Sequence, residues 1–313
     1  MPTESKRYIV SPATRAFIRE ARKVKGYSWF DFLHGYVYGR WPYLYIAIGT
    51  GEHRSSKYFQ WLVAGVGKLL PKRPLDEGNT HTFADGYHGK VAPLDTARQL
   101  VTINEPVAIP DLEQVIPYKR ARSIVLENPD RIVVLDCPCR SGRANPCLPL
   151  DVCLVIGEPF ASFILEHHPD RARRITQEEA VAILEAEEER GHVHHAFFKD
   201  AMLERFYAIC NCCACCCGAM QAHRNGTPML ASSGYVAVVD ENECLACGTC
   251  AEFCQFEAIA LDNVAQVIRE ACMGCGVCVG HCTQEAIALE RAPEKGEPLE
   301  IHKLMAMAAE GKN

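Results

Sequence analysis

The chain has 313 residues, a formal net charge of −6 and a pI near 6.1. A mildly acidic chain with no basic block lacks the surface that sequence-independent nucleic-acid binding requires. With 48% hydrophobic and 23% charged residues it has the composition of a folded protein: one large domain with an appendage, or two domains.

Cysteine is the outlier, at 18 residues. Secreted disulfide scaffolds are short and follow a signal peptide, whereas MPTESKRYIV has no apolar core. A reducing cytoplasm is therefore expected, and there dense cysteine points to metal before disulfide. No run approaches the ~18 apolar residues of a membrane helix. A protein that is soluble, or peripheral to the inner face of a membrane, is expected.

Residues 1–110 read as a helical, aromatic-rich docking segment. Ser11 as N-cap, Pro12 at the first helical position and Gly26 beyond the end predict a helix from Ser11 to about Lys25, which could serve as an arm. Residues 27–61 hold 12 of the 26 aromatics and all three tryptophans. KYFQWLVAGVGKLL (57–70) adds apolar residues at helical spacing. Two readings stay open for residues 27–70: docking onto a partner or a membrane surface, or packing over the metal domain to exclude water. GNTHTFADGYHGK (78–90) reads as a loop.

Residues 111–233 read as a compact α/β, cysteine-rich unit. PYKRARSIVLENPD predicts a helix opening at Pro117. RIVVLDCPC predicts a strand running into a turn, with Cys137 and Cys139 on one side. His167 and His168 end a short helix, where a cation complements the dipole. ITQEEAVAILEAEEERG predicts a helix with a Thr176–Glu179 capping box and a stop at Gly191. In GHVHHAFF, His192 and His194 share a face if the segment is a strand. Either could replace a thiolate on iron, or all three histidines could be structural.

ICNCCACCCGAM then places six cysteines in eight residues. ERFYAICNC predicts a strand and CACCCGAMQAHR a helix, with Cys213, Cys216 and Cys217 on one helical face. Adjacent cysteines point in different directions, so the six cannot serve one cluster. The stretch is expected to straddle two metal centres, completed by Cys137, Cys139, Cys147 and Cys153. Cys212, Cys213, Cys216 and Cys217 are then the downstream ligands, and Cys210 and Cys215, off the shared faces, are spare. A structural zinc, free thiols or a metal-storage role remain alternatives.

Residues 234–291 carry CLACGTCAEFC from Cys244 and CMGCGVCVGHC from Cys272, both C-x2-C-x2-C-x3-C, repeated at an offset of 28 residues. Three thiolates two residues apart on a tight turn occupy three corners of an iron–sulfur cube, and the fourth reaches the other cube. The expected sets are Cys244, Cys247, Cys250 and Cys282, and Cys272, Cys275, Cys278 and Cys254. Gly248, Gly274 and Gly276 permit the tight backbone. YVAVVD, FEAIAL, AQVIRE and EAIALE read as flanking strands, and residues 292–313 as a tail.

This part of the chain resembles the bacterial-type ferredoxins with two [4Fe–4S] clusters. The resemblance implies low-potential one-electron transfer between two close cubes. Gln255 and Thr283 stand where that family usually has proline after the fourth cysteine. Over residues 115–291, the order CPCR, C-x5-C, GHVH, ICNCCACCC and then the ferredoxin motifs resembles a family of multi-cluster iron–sulfur proteins of anaerobic prokaryotes. It implies redox proteins with clusters beyond the ferredoxin pair.

The expected fold is α+β: a dicluster ferredoxin-like domain at the C-terminus, an α/β cluster domain in the centre and a helical N-terminal segment. The expected function is electron transfer to or from a partner redox protein, with two [4Fe–4S] clusters and one or two more. No G-x-G-x-x-G or G-x4-GK[ST] offers a nucleotide site. The rival is an enzyme reducing a small substrate at an upstream cluster with an open iron, using Arg140 or the histidines. A redox sensor would need an output domain that the sequence does not display.

Overall fold

The computed structural model describes residues 10–56, 86–118, 120 and 122–310. Its centre is a seven-stranded sheet in the order β6-β4-β5-β8-β7-β1-β9. The strands are β1 (Tyr87–Ala92), β4 (Ile132–Asp136), β5 (Asp151–Ile156), β6 (Ala172–Ile175), β7 (Val193–Lys199), β8 (Arg205–Cys212) and β9 (Leu230–Ala231). Neighbours are antiparallel except β1 and β9. A short ribbon, β2 (Val107–Ile109) with β3 (Ile124–Leu126), lies beside it.

The sheet reaches across the expected boundary at residue 110, because β1 fills the place between β7 and β9. The loop expected over 78–90 is corrected in the part described: Tyr87–Lys90 is strand, paired to Phe197–Lys199 and Ala196. His88 and Lys90 are buried there, and such polar side chains disguised the strand. The helix expected from Pro117 is also corrected. Ile124 and Val125 extend to pair with Ile109 and Ala108, a β-branched run taken up by a partner strand.

Helices cover both faces. On one side stand α1 (Pro12–Ala21), α2 (Trp29–Arg40), α3 (Pro42–Gly49) and α6 (Phe160–His167). Ser11 caps α1 through Thr14 N–H, as the sequence predicts, but the helix stops at Ala21 and a turn carries the chain to Gly26. It is no free arm: Phe17 is fully buried against Phe32, Phe160 and Phe163. His167 meets Thr14 Oγ1, and His168 meets the Gly39 carbonyl at 2.8 Å. Burial lowers both imidazole pKa values, so they tie the layer together as neutral rings rather than as cations on the helix dipole.

The aromatic segment does two things at once. Tyr38 donates or accepts a hydrogen bond with Tyr207 at 2.8 Å, and Tyr43 O–H donates to the Asp136 carbonyl. Its outer side leaves Trp29 and Phe30 each 68% exposed, with Leu33, Trp41 and Leu44 nearby in sequence. Residues 57–70 lie outside the described residues. No helix among the described residues is long and apolar enough to cross a membrane.

Against the opposite face lie α4 (Leu94–Val101) and α7 (Gln177–Glu189). Thr176 caps α7 through Glu179 N–H, but the Glu179 carboxylate turns to Arg173 at 2.5 Å instead of closing the box. The last described helix, α11 (Ile301–Glu310), anchors the expected tail by burying Leu299 and Ile301.

The C-terminal module is two short antiparallel ribbons. One is β10 (Tyr235–Val239) with β13 (Ile287–Arg291), the other β11 (Ile259–Leu261) with β12 (Ala265–Val267). Two one-turn helices, α9 (Thr249–Glu252) and α10 (Val277–Gly280), sit between them. The module docks on the end of α7. Gly191 (φ +78°) approaches Phe253 so closely that a Cβ would lie 2.4 Å from the ring. The Phe253 ring stacks on His281, whose Nε2 lies 3.2 Å from the Glu189 carbonyl.

Candidate functional site

Three cavities lined by cysteine account for the thiols of the chain, together with one surface cluster. In the C-terminal module, one cavity is lined by Cys244, Cys247, Cys250 and Cys282. A second is lined by Cys254, Cys272, Cys275 and Cys278. The fourth cysteine of each motif thus stands in the cavity of the other. The cause is local: each motif's first three cysteines wrap one turn, and the one-turn helix carries the fourth away. Gly248 and Gly276 open those helices at φ +84° and +89°, values a side chain disfavours.

The donor set fits iron–sulfur clusters. Backbone N–H groups point at sulfur: Ala237 to Cys272 at 3.5 Å, Ala258 to Cys254 at 3.3 Å and Ala265 to Cys244 at 3.4 Å. Such N–H groups stabilise thiolate charge. Burial pushes Cys278 up to about 12 and Cys275 well above its ordinary range. Thiols held that high ionise at neutral pH only with a cation among them.

The third cavity lies in the central domain, at the end of the sheet where β4, β5 and β8 meet. Strand alternation builds it. Cys210 and Cys212 are two apart on β8 and share a face, while Asn211 points to the other, where its Oδ1 accepts from His194 Nδ1 at 2.6 Å. Leu154 pairs with Ile209, which brings Cys153 abreast of Cys210. Cys137 caps the one-turn helix α5 (Pro138–Ser141), which carries Cys139. Cys137, Cys139, Cys153, Cys210, Cys212 and Cys217 all line the cavity, closed by Tyr38, Pro42 and Ile46 from the N-terminal helices.

The thiols of this cavity are close enough to shift one another's ionisation: Cys139 and Cys153 act on Cys137, Cys137 and Cys210 on Cys153, and Cys139 and Cys212 on Cys217. The neighbouring Cys139 thiol, with burial adding, pushes Cys137 up to about 12. Arg140 N–H points at Cys137 Sγ at 3.5 Å.

The surface cluster is Cys147, Cys213, Cys215 and Cys216, whose sulfurs all lie within 4.8 Å of one another. Two expectations change here. Cys213, Cys216 and Cys217 do not share a helical face, because α8 (Gly218–Arg224) starts only after the cysteines. Cys213 to Cys217 form a single turn, closed by Cys217 N–H to the Cys213 carbonyl, and Cys217 points into the cavity instead. Cys210 and Cys215 are not set apart either: one lines the central cavity and the other joins the surface cluster.

The histidines of GHVHHAFF are buried in and beside β7, and none lines a cysteine cavity among the described residues. His192 Nδ1 lies 2.7 Å from Glu187, which also pairs with Arg140 at 2.5 Å. Arg140 donates further to the carbonyls of Pro149 and Asn211. This fully buried group fastens the CPCR turn to α7 and β8. Burial pulls His195 down to about 3, so it is a neutral core residue.

The sequence reading missed one contact. Gln255, in the position where the resembling family has proline, accepts a hydrogen bond from Ala214 N–H at 2.8 Å. It bolts the C-terminal module to the six-cysteine stretch, and only the unusual side chain at 255 hinted at it. Gln255→Ala is expected to weaken this junction by about 1 kcal/mol. Hydrogen exchange in the peptide over 210–217 should then quicken about five-fold. Unchanged exchange would show that the bond contributes nothing.

Comparison with known proteins agrees with the first ferredoxin motif. Residues 237–260 match the 4Fe-4S binding domain, a span that contains Cys244, Cys247, Cys250 and Cys254. No curated protein and no solved structure matches the chain. The domain match, together with the cysteine-lined cavity at that motif, marks the chain as an iron–sulfur protein with at least one 4Fe-4S site.

Proposed function

We propose that the protein relays electrons between a partner redox protein and a chain of three clusters. Two would be ferredoxin-type, on Cys244, Cys247, Cys250 and Cys282 and on Cys254, Cys272, Cys275 and Cys278. The third would lie in the central cavity, on thiols drawn from Cys137, Cys139, Cys153, Cys210, Cys212 and Cys217. The observation that carries this reading is the exchange of fourth cysteines between two four-thiol cavities, with a third thiol-lined cavity bolted to them through Gln255.

Each bound cluster supplies one-electron exchange without a substrate bond being made or broken. The chain does the rest. Backbone N–H groups from Ala237, Ala258 and Ala265 offset thiolate charge. Tyr38, Pro42 and Ile46 keep water from the central thiols. At the other end Cys247 is exposed and Leu245 is 69% exposed, which leaves an open edge where a partner can meet the ferredoxin pair. The exposed aromatics of α2 supply a second surface for a protein or membrane partner.

The test is iron and acid-labile sulfide per chain on anaerobically purified protein, with EPR of the reduced form. About 12 iron, with three interacting signals, is expected for three cubes. About 8 would remove the central cluster, and about 16 would require the surface cluster to be a cube as well.

A further inference from the structure

We propose that Cys147, Cys213, Cys215 and Cys216 form a separate site for a single divalent ion, zinc by its chemistry, and not a fourth iron–sulfur cluster. The argument is one of size. Four thiolates around one tetrahedral ion at about 2.3 Å stand about 3.8 Å apart. The four sulfurs here all lie within 4.8 Å, with Cys215 to Cys216 at 3.7 Å and Cys147 to Cys215 at 3.2 Å. A cube holds its four thiolates on four separate irons, which spreads them farther.

The local sequence has the form such an ion takes. Cys213 and Cys216 make a C-x2-C knuckle, Cys215 lies inside it, and Cys147 closes the set from a distant loop. The backbone is tied outward so that the thiols turn inward. Arg143 donates to the Cys216 carbonyl, Gln221 Nε2 donates to the Cys215 carbonyl, and Ala214 N–H donates to Gln255. Four soft sulfur donors gathered this closely select zinc among the non-redox divalent ions. The ion would clip the Cys147 loop to the turn after β8. Cys213 and Cys216 also line the central cavity, so the clip would stand at its wall.

The experiment counts zinc and iron separately by mass spectrometry of metals, on anaerobically purified wild-type, Cys215→Ser and Cys147→Ser proteins. About one zinc per chain is expected in the wild type. Both variants should fall at least ten-fold in zinc, with iron per chain, cluster EPR and far-UV circular dichroism unchanged. In zinc-free wild type reloaded with Co2+, the intense visible bands of tetrahedral cobalt–thiolate should appear, and they should fail to appear in Cys215→Ser. A loss of about four iron in the variants would overturn the proposal in favour of a cube. A zinc-free wild type with a Cys147–Cys215 disulfide in peptide mapping would overturn it in favour of a redox pair. Because zinc and iron are read independently, a failed three-cluster count leaves this test standing, and the reverse holds too.

Discussion

Cys254→Ala is expected to damage the site of the second ferredoxin motif, not the site of the motif in which it stands. Cys254 lines the cavity of Cys272, Cys275 and Cys278, and its sulfur accepts from Ala258 N–H. Losing one of four thiolates should remove between about one and four iron per chain. The decisive readout is the EPR of the reduced protein. The Cys254→Ala spectrum should match that of Cys272→Ala and differ from that of Cys244→Ala. If it matched Cys244→Ala instead, each motif would hold its own cluster and the exchange of fourth cysteines would be wrong. Cys282→Ala, in the cavity of Cys244, Cys247 and Cys250, should show the mirror-image result.

Glu187→Ala is expected to cost about 3–5 kcal/mol, because it strands the Arg140 guanidinium in the interior. Both side chains are 1% exposed and lie 2.5 Å apart. Arg140 keeps its bonds to the Pro149 and Asn211 carbonyls, but these do not balance its charge. Anaerobic urea unfolding measures the loss, and a value below about 1 kcal/mol would mean that the pair behaves like a surface ion pair. Because Arg140 N–H points at Cys137, the CPCR turn should loosen, and if the proposed central cluster is present its iron should fall. Glu187→Gln, which keeps a hydrogen-bonding side chain, should lose less.

The pH dependence follows from the same group. Burial pulls the Glu187 carboxyl upward, but the hydrogen bond with His192 and the charge of Arg140 outweigh it and hold its pKa below the usual range. A carboxyl lowered in the folded state stabilises fully above its unfolded pKa. That stability is lost as pH falls through the folded value. Wild type should therefore lose stability on acidification in a window that Glu187→Gln lacks, and comparison of the two proteins from neutral to acid pH reads it directly.

What the sequence by itself determined was local. The doubled C-x2-C-x2-C-x3-C spacing sets six of eight ferredoxin thiols on two turns, whatever the rest of the chain does. The strands ending at Asp136 and Cys212 were legible from their apolar runs, and α7 from the cap at Thr176. Only the tertiary structure decided how the ten upstream thiols divide. Cys153 joins Cys210 because β5 lies beside β8, and Cys147 joins Cys213, Cys215 and Cys216 across 66 residues or more. It also placed β1 inside the sheet although His88 and Lys90 read as loop, and turned Ile124 and Val125 from helix to strand through pairing with β2. Spacing along the chain controls where a side chain points within a turn or a strand. Which strand lies next to it is settled by burial and pairing between distant segments, and no local window contains them.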